Sequence, residues 1–130
     1  MNRSGTILRY SLLICIFYFV CMSIAHFFGI KLPLLFVYYD IPFYAYQDKI
    51  ISFCVVTYVI LFLGAFQKQE IAPYAIISLY TTVAGLSLIN MSSALKSVLN
   101  GGTTTLYWLQ TAMFACIAIW LTIFYIRSRK

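Results

Sequence analysis

The sequence predicts an all-α integral membrane protein: a four-helix transmembrane bundle with an interfacial aromatic connection between helices 1 and 2. Of the 130 residues, 63% are hydrophobic and only 9% are charged, whereas about a quarter of the residues of a soluble domain are charged. Four apolar stretches are each long enough to cross a bilayer, which takes about 17–25 residues of helix. Charged residues stand at the ends of these stretches. We therefore treat residues 1–130 as a single transmembrane domain.

The predicted spans and the interfacial segment follow one another closely along the chain. The spans occupy about residues 10–30, 50–66, 74–95 and 105–126, and the interfacial segment occupies residues 31–49. Pro73 fits the first turn of the third span, where its missing N–H would be unpaired in any case. The connection before it is very short, so the second and third spans should be antiparallel neighbours. Asn100-Gly101-Gly102 predicts a turn before the fourth span.

The segment Lys31–Lys49 is unlike the rest of the chain. It contains two of the three acidic residues and six aromatic rings: Phe36, Tyr38, Tyr39, Phe43, Tyr44 and Tyr46. A tyrosine ring has an apolar body and a polar tip, and such side chains collect at the membrane–water boundary. We expect this segment to lie there as a lid or a short interfacial helix.

The basic residues predict an orientation. The formal net charge is +6, but the cations mark span ends instead of forming a basic face with interleaved aromatics, so no nucleic acid partner is predicted. With four spans both termini share one side, which holds six Lys and Arg against three on the other. An excess of Lys and Arg marks the cytoplasmic side. The sequence thus predicts a bacterial inner-membrane protein with cytoplasmic N- and C-termini.

One polar ligand site is conceivable on the outer face. His26 lies near the outer end of the first span, and ionisable groups within membranes often serve function. If the connection folds back, a site could form from His26, Asp40, Asp48, Tyr38, Tyr39 and Tyr46. A structural interpretation competes with it, because His26 could bond interfacial groups, Asp48 could pair with Lys49, and Asp40 suits a turn. No spacing matches a metal motif, so no metal site is predicted.

The third span is the most polar of the four and predicts helix packing. Its small and polar residues at helical spacing include Gly85, Ser87, Asn90 and Ala94. In lipid, small residues permit close helix approach, and polar side chains hydrogen-bond between helices. We expect this helix at the centre of the bundle, where it would serve contacts with other membrane subunits or with a second copy of the chain.

The four cysteines, Cys15, Cys21, Cys54 and Cys116, lie within apolar spans and form no C-x-x-C pair. A thiol redox protein using Cys21 and Cys54 is therefore a minor alternative. No catalytic motif is present, and no Asp, Glu, Lys or Arg falls at mid-membrane depth, where transporters bind their substrates. No cofactor is predicted, and a lipid or a quinone is the ligand class that so apolar an interior would accept.

Along the chain, LRYSLLICIFYF is followed by AHFFGIKLP, then by an aromatic connection and three tighter helices. This order resembles the layout of the DoxX-like group of small four-helix membrane proteins. The resemblance covers most of the chain and includes Arg9 before the apolar run, Gly29 and Lys31 near its end, and the interfacial stretch. That group includes membrane subunits associated with redox enzymes. The resemblance therefore implies a fold more than an activity.

Three functions follow in order of preference. The first is a small non-catalytic membrane subunit or accessory protein that acts by helix–helix contact and binds membrane lipids or a quinone. The second is a binding or transport protein for a small molecule or ion, with an outer-face pocket around His26, Asp40 and Asp48. The third is the membrane thiol redox protein.

Overall fold

The computed structural model describes residues 3–36 and 44–130. The α-helices are α1 (Arg3–Phe28), α2 (Ala45–Gln67), α3 (Ala72–Met91), α4 (Ser93–Val98) and α5 (Thr105–Ser128). A 3₁₀ turn, Gln69–Ile71, joins α2 to α3. Four helices are long and apolar enough to cross a membrane: α1, α2, α3 with its 3₁₀ turn, and α5. The predicted all-α four-helix transmembrane fold is confirmed.

The four spanning helices form a closed ring. Among the described residues, α1 packs against α2 and α5, and α3 packs against the same two helices. The α1–α2 interface is the most extensive, and the α2–α3 interface is the smallest. The ring thus has no central helix, which corrects the expectation for the third span. We call the side where α1 begins and α5 ends the terminal side, and the opposite side the far side.

Core residues follow the spacing of a left-handed helix bundle. On α1 they recur at intervals of four, three and four residues: Leu8, Leu12, Cys15 and Phe19. On α5 they recur at four and three: Phe114, Ala118 and Leu121. A mean spacing near 3.5 residues keeps one seam facing its neighbours in knobs-into-holes packing. Phe62 of α2 is fully buried, and its ring centroid lies 5.2 Å from that of Phe19.

α1 ends at Phe28, two residues before the predicted boundary, because Gly29 reverses the backbone. Gly29 has a φ of 69°, a left-handed conformation that side chains disfavour. The Ile30 N–H donates to the Ala25 carbonyl at 2.8 Å, and the Gly29 N–H donates to the His26 carbonyl at 3.4 Å. These two bonds satisfy the last carbonyls of the helix and form a Schellman motif.

The chain then folds back along α1. A turn over residues 32–36 is closed by the Phe36 N–H donating to the Leu32 carbonyl at 3.0 Å. The hydroxyl of Tyr18, ten residues before the end of α1, donates to the Leu35 carbonyl at 2.6 Å. The start of the connection therefore packs against the side of the bundle. Residues 37–43, the middle of the predicted interfacial segment, lie outside the described residues.

α2 and α3 also depart from their predicted limits. α2 begins at Ala45, five residues earlier than expected, because the Asp48 carboxylate accepts a hydrogen bond from the Tyr44 N–H and stabilises the first turn. α3 ends at Met91 because Ser92 is extended. The Ser92 hydroxyl accepts from the Leu95 N–H and so caps the short helix α4. A turn through Asn100 and Gly101, both with positive φ, leads to α5.

Candidate functional site

The buried polar side chains of the described residues gather in one half of the bundle. Six are buried: Ser23, His26, Ser52, Asn90, Gln110 and Thr111. Each lies in the part of its helix nearest the far side. The terminal half of the interior is built from aliphatic and aromatic side chains with the small residues Ala65, Ala72 and Ala75. The bundle thus has a polar far half and an apolar terminal half.

The His26–Asp48 pair joins α1 to α2 at the far end. His26 Nδ1 lies 3.2 Å from Asp48 Oδ1, and the imidazole is buried, with 4% of its surface exposed. The second oxygen, Oδ2, accepts from the Tyr44 N–H at 2.9 Å. The carboxylate therefore orients the ring while it caps the next helix. When Nδ1 carries the proton for Asp48, Nε2 is left as the acceptor nitrogen of a neutral imidazole.

Two serines form another polar contact between α1 and α2, one helical turn farther from the far side. The hydroxyl of Ser52 donates to the Ser23 carbonyl at 2.8 Å, and the hydroxyl of Ser23 lies 3.1 Å from the Ser52 carbonyl. The two hydroxyl oxygens are 3.0 Å apart. Such short side chains allow two helices to approach closely. Together with His26 and Asp48, they bond α1 to α2 along the far half of their interface.

A second polar contact joins α3 to α5. The Asn90 amide Nδ2 donates to Thr111 Oγ1 at 2.9 Å, and that hydroxyl donates to the Tyr107 carbonyl at 2.9 Å. The carbonyl oxygen of the Asn90 side chain is buried without a hydrogen-bond partner among the described residues. A water molecule or another polar group would satisfy it.

The structure brings together two of the predicted ligand-site residues. His26 and Asp48 are in contact, as described above. Tyr46, on the first turn of α2, points into the surroundings with 80% of its surface exposed. Tyr38, Tyr39 and Asp40 lie outside the described residues. The pair accordingly has one histidine and one carboxylate, and no group of three metal-ligating side chains occurs in residues 3–36 and 44–130.

The predicted packing residues of the third span do not share one interface. Asn90 contacts α5. The Ser87 hydroxyl donates to the carbonyl of Val83 in its own helix, at 2.8 Å. A Cβ added to Gly85 would meet no atom within 4 Å, so no described residue packs closely there. Ala94 is exposed on α4, because the break at Ser92 ends the helical register that aligned it with Ser87.

The sequence pattern did not single out four of the buried polar residues: Ser23, Ser52, Gln110 and Thr111. A signal was available, because polar residues in an otherwise apolar span tend to face other helices. Ser23 and His26 are three residues apart, and Asp48 and Ser52 are four apart, so each pair occupies one helix face.

An apolar crevice opens between α1 and α5. Its volume is about 480 Å³, and its walls include Ile14 and Cys15 of α1 and Cys116 and Ile117 of α5. At the terminal end, the Trp120 indole N–H donates to Ser11 Oγ at 2.9 Å. At the far end stands Tyr18, whose ring stacks on Phe36 with centroids 6.0 Å apart. The crevice thus suits a hydrocarbon chain, because it has polar groups only at its two ends.

All four cysteines are free thiols. Cys15 is buried, Cys21 is half-buried, and Cys54 and Cys116 are exposed. Cys116 lines the crevice on α5, whereas Cys54 lies on α2, away from it.

Comparison with known proteins gives no match to a family model, a curated protein or a solved structure. The likeness to the DoxX-like group stays a prediction. The helices and their composition identify the chain as a four-helix membrane protein.

Proposed function

We propose that this chain is a small non-catalytic membrane protein that binds the hydrocarbon chain of a lipid or a quinone between α1 and α5. The observation that carries this proposal is the α1–α5 crevice. Its volume, about 480 Å³, falls within the range of about 300–1,000 Å³ that is usual for small-molecule pockets. Its walls are apolar and stand within the membrane-spanning part of the bundle, where acyl and isoprenoid chains are the available ligands.

The polar groups at its ends favour a chain over a head group. Trp120 Nε1–H is committed to Ser11, and the Tyr18 hydroxyl proton is committed to the Leu35 carbonyl. A quinone ring would need donors for its carbonyl oxygens, and of these groups only the Ser11 hydroxyl, which accepts from Trp120, keeps its proton. Residues 32–36 fold back against Tyr18 at the far end of the crevice, so we expect a chain to enter sideways from the membrane.

The polar far half supports a structural interpretation of His26 and Asp48. The imidazole and the carboxylate bond each other across the α1–α2 interface, and the two serines below them do the same. Polar contacts of this kind hold helices together in lipid. This favours the structural role of His26 over the alternative of a polar-ligand pocket, because His26 Nδ1 and both Asp48 oxygens are already hydrogen-bonded.

The setting of the protein is part of the same proposal. The terminal side has Arg3, Arg9, Lys68, Arg127, Arg129 and Lys130. This excess supports cytoplasmic termini in a bacterial inner membrane. The open surface beside Gly85 supports contact with a helix of another subunit or of a second copy. A fluorescent protein fused to the C-terminus should fold and fluoresce if that terminus is cytoplasmic.

A photo-crosslinking experiment tests chain binding. The protein is reconstituted in vesicles containing a phospholipid with a diazirine group in one acyl chain, irradiated, digested and analysed by mass spectrometry. Crosslinks should concentrate on crevice residues such as Ile14 and Ile117. Cys116→Trp fills the crevice and should remove them. Cys54→Trp is the matched control, because Cys54 is also exposed on a spanning helix but does not line the crevice.

Two results would contradict the proposal. One is labelling spread evenly over the exposed aliphatic residues of all four spans. The other is equal crevice labelling in the two tryptophan variants.

A further inference from the structure

A second, chemically different cleft lies at the terminal side between α1 and α2. It has a volume of about 190 Å³ and is lined by Gly5 and Arg9 of α1, by Phe66 and Gln67 near the end of α2, and by Gln69 just after it. Water occupies about 30 Å³ per molecule in the liquid, so the space suits a phosphate group with its ester oxygens. The cleft is separate from the α1–α5 crevice, because Arg9 and Ser11 face nearly opposite directions on α1.

Arg9 brings a positive charge into this cleft without an acidic partner. Its guanidinium carbon lies 4.6 Å from the centre of the Phe66 ring, a cation–π contact. Within residues 3–36 and 44–130, no acidic side chain pairs with Arg9. The guanidinium therefore keeps unused N–H donors. Arginine presents these donors in a planar fork that matches two oxygens of one phosphate.

The position of Arg9 fits the head-group layer. At 1.5 Å per residue, the 26 residues of α1 extend about 39 Å, which exceeds the hydrocarbon thickness of about 30 Å. The first turns of α1 can thus stand among the lipid head groups. Phe66 is one residue from the end of α2, so the cation–π contact holds the guanidinium beside the end of that spanning helix.

Two carboxamides complete a polar wall. Gln67 and Gln69 line the cleft, and the Gln69 amide nitrogen also donates to Ser128 Oγ of α5. That bond uses one of the two Gln69 amide protons and leaves the second for another acceptor. Amide N–H groups are ordinary donors to phosphate oxygens.

We propose that this cleft binds the phosphate of an anionic phospholipid, with Arg9 as the charged ligand and the Gln67 and Gln69 amides as supporting donors. The surrounding charge favours such a partner, because the terminal side has six cations against the single carboxylate of Glu70. Membrane surfaces with anionic lipids attract such basic segments. The site does not depend on chain binding in the α1–α5 crevice.

Native mass spectrometry of the detergent-purified, delipidated full chain tests the site. The protein is mixed with equal amounts of phosphatidylglycerol and phosphatidylcholine of identical acyl chains. The wild type should prefer phosphatidylglycerol. In Arg9→Gln the affinity for phosphatidylglycerol should fall by roughly tenfold, the factor expected from losing one charge-assisted hydrogen bond. The preference should fall with it, because the choline ammonium already offsets the phosphate charge in phosphatidylcholine, which therefore gains less from Arg9. Arg3→Gln removes the same charge from the same helix but does not line the cleft, so it should keep the preference.

Further measurements identify which chemical group of the lipid the cleft recognises. Arg9→Lys keeps the charge but loses the planar fork of donors, so its preference for phosphatidylglycerol should be intermediate. It replaces Arg9→Gln if circular dichroism shows that Arg9→Gln does not fold. Displacement of phosphatidylglycerol by inorganic phosphate would show that the phosphate alone is recognised, and resistance to displacement would assign recognition to the lipid. Cys116→Trp should leave the preference unchanged. Equal losses in Arg9→Gln and Arg3→Gln, or no loss in Arg9→Gln, would overturn the proposal.

Discussion

Leucine substitutions at His26 and Asp48, made singly and together, test whether this pair holds α1 to α2. In Asp48→Leu the imidazole, 4% exposed, loses the oxygen 3.2 Å from its Nδ1. A buried polar group left without a partner costs about 1–3 kcal/mol. The Tyr44 N–H also loses its acceptor at 2.9 Å, and losing such a hydrogen bond costs about 1 kcal/mol. Asp48→Leu should therefore lower the free energy of unfolding by about 2–4 kcal/mol.

His26→Leu should cost less. The Asp48 side chain is 16% exposed, keeps the Tyr44 N–H, and can turn its other oxygen to water. We expect a loss of about 1 kcal/mol. The double variant removes both members, so no buried imidazole is left unpaired. Its loss should be smaller than the sum of the single losses by about 1–2 kcal/mol, which is the coupling energy of the pair.

The assay is reversible unfolding in mixed micelles of dodecyl maltoside and sodium dodecyl sulfate, followed by far-UV circular dichroism. Tyr46→Leu is the control, because this side chain on the same turn of α2 is 80% exposed and should change stability by no more than about 0.5 kcal/mol. The reasoning fails if Asp48→Leu is as stable as Tyr46→Leu. It also fails if the two single losses simply add.

Two further predictions concern packing and backbone geometry, both measured in the same unfolding assay. Phe62→Ala should lower the free energy of unfolding by about 3–5 kcal/mol, because the ring is fully buried. Phe53→Ala should lower it far less, because that side chain is 65% exposed. Similar losses in the two variants would mean that burial inside the bundle does not decide stability. Gly29→Ala should cost about 1–2 kcal/mol at its φ of 69°. Gly85→Ala, where an added Cβ meets nothing within 4 Å, should be neutral or slightly stabilising, and a loss there as large as at Gly29 would contradict the backbone argument.

Sequence reasoning predicted the number of spans and their order because hydrocarbon excludes charge over a fixed thickness. Any chain with four apolar runs of this length, bounded by Lys, Arg and turn residues, meets that condition. The helix limits were less predictable. The early start of α2 depends on Asp48 reaching the Tyr44 N–H, and the break at Ser92 depends on its hydroxyl capping α4. Such local bonds compete with simple continuation of a helix, and composition does not reveal which prevails.

The candidate sites, like the helix limits, were only partly predictable from the sequence. The sequence singled out His26, Asp40 and Asp48 as ionisable candidates near one membrane surface. The contact between His26 and Asp48 required α1 and α2 to be neighbours in a particular rotation. Sequence reasoning gave no indication of the α1–α5 crevice. Its walls consist of residues such as Ile14 and Ile117, which look like lipid-facing positions.

Amino-acid order alone determined that this chain crosses a membrane four times, since burying backbone in lipid demands helices and apolar side chains. Only the tertiary structure decided which face of each helix turns inward. In water the core is the apolar side and can be found from hydrophobic periodicity. Here both the lipid and the core are apolar, so the choice of face depends on side-chain shape and on a few polar pairs such as Ser23 with Ser52.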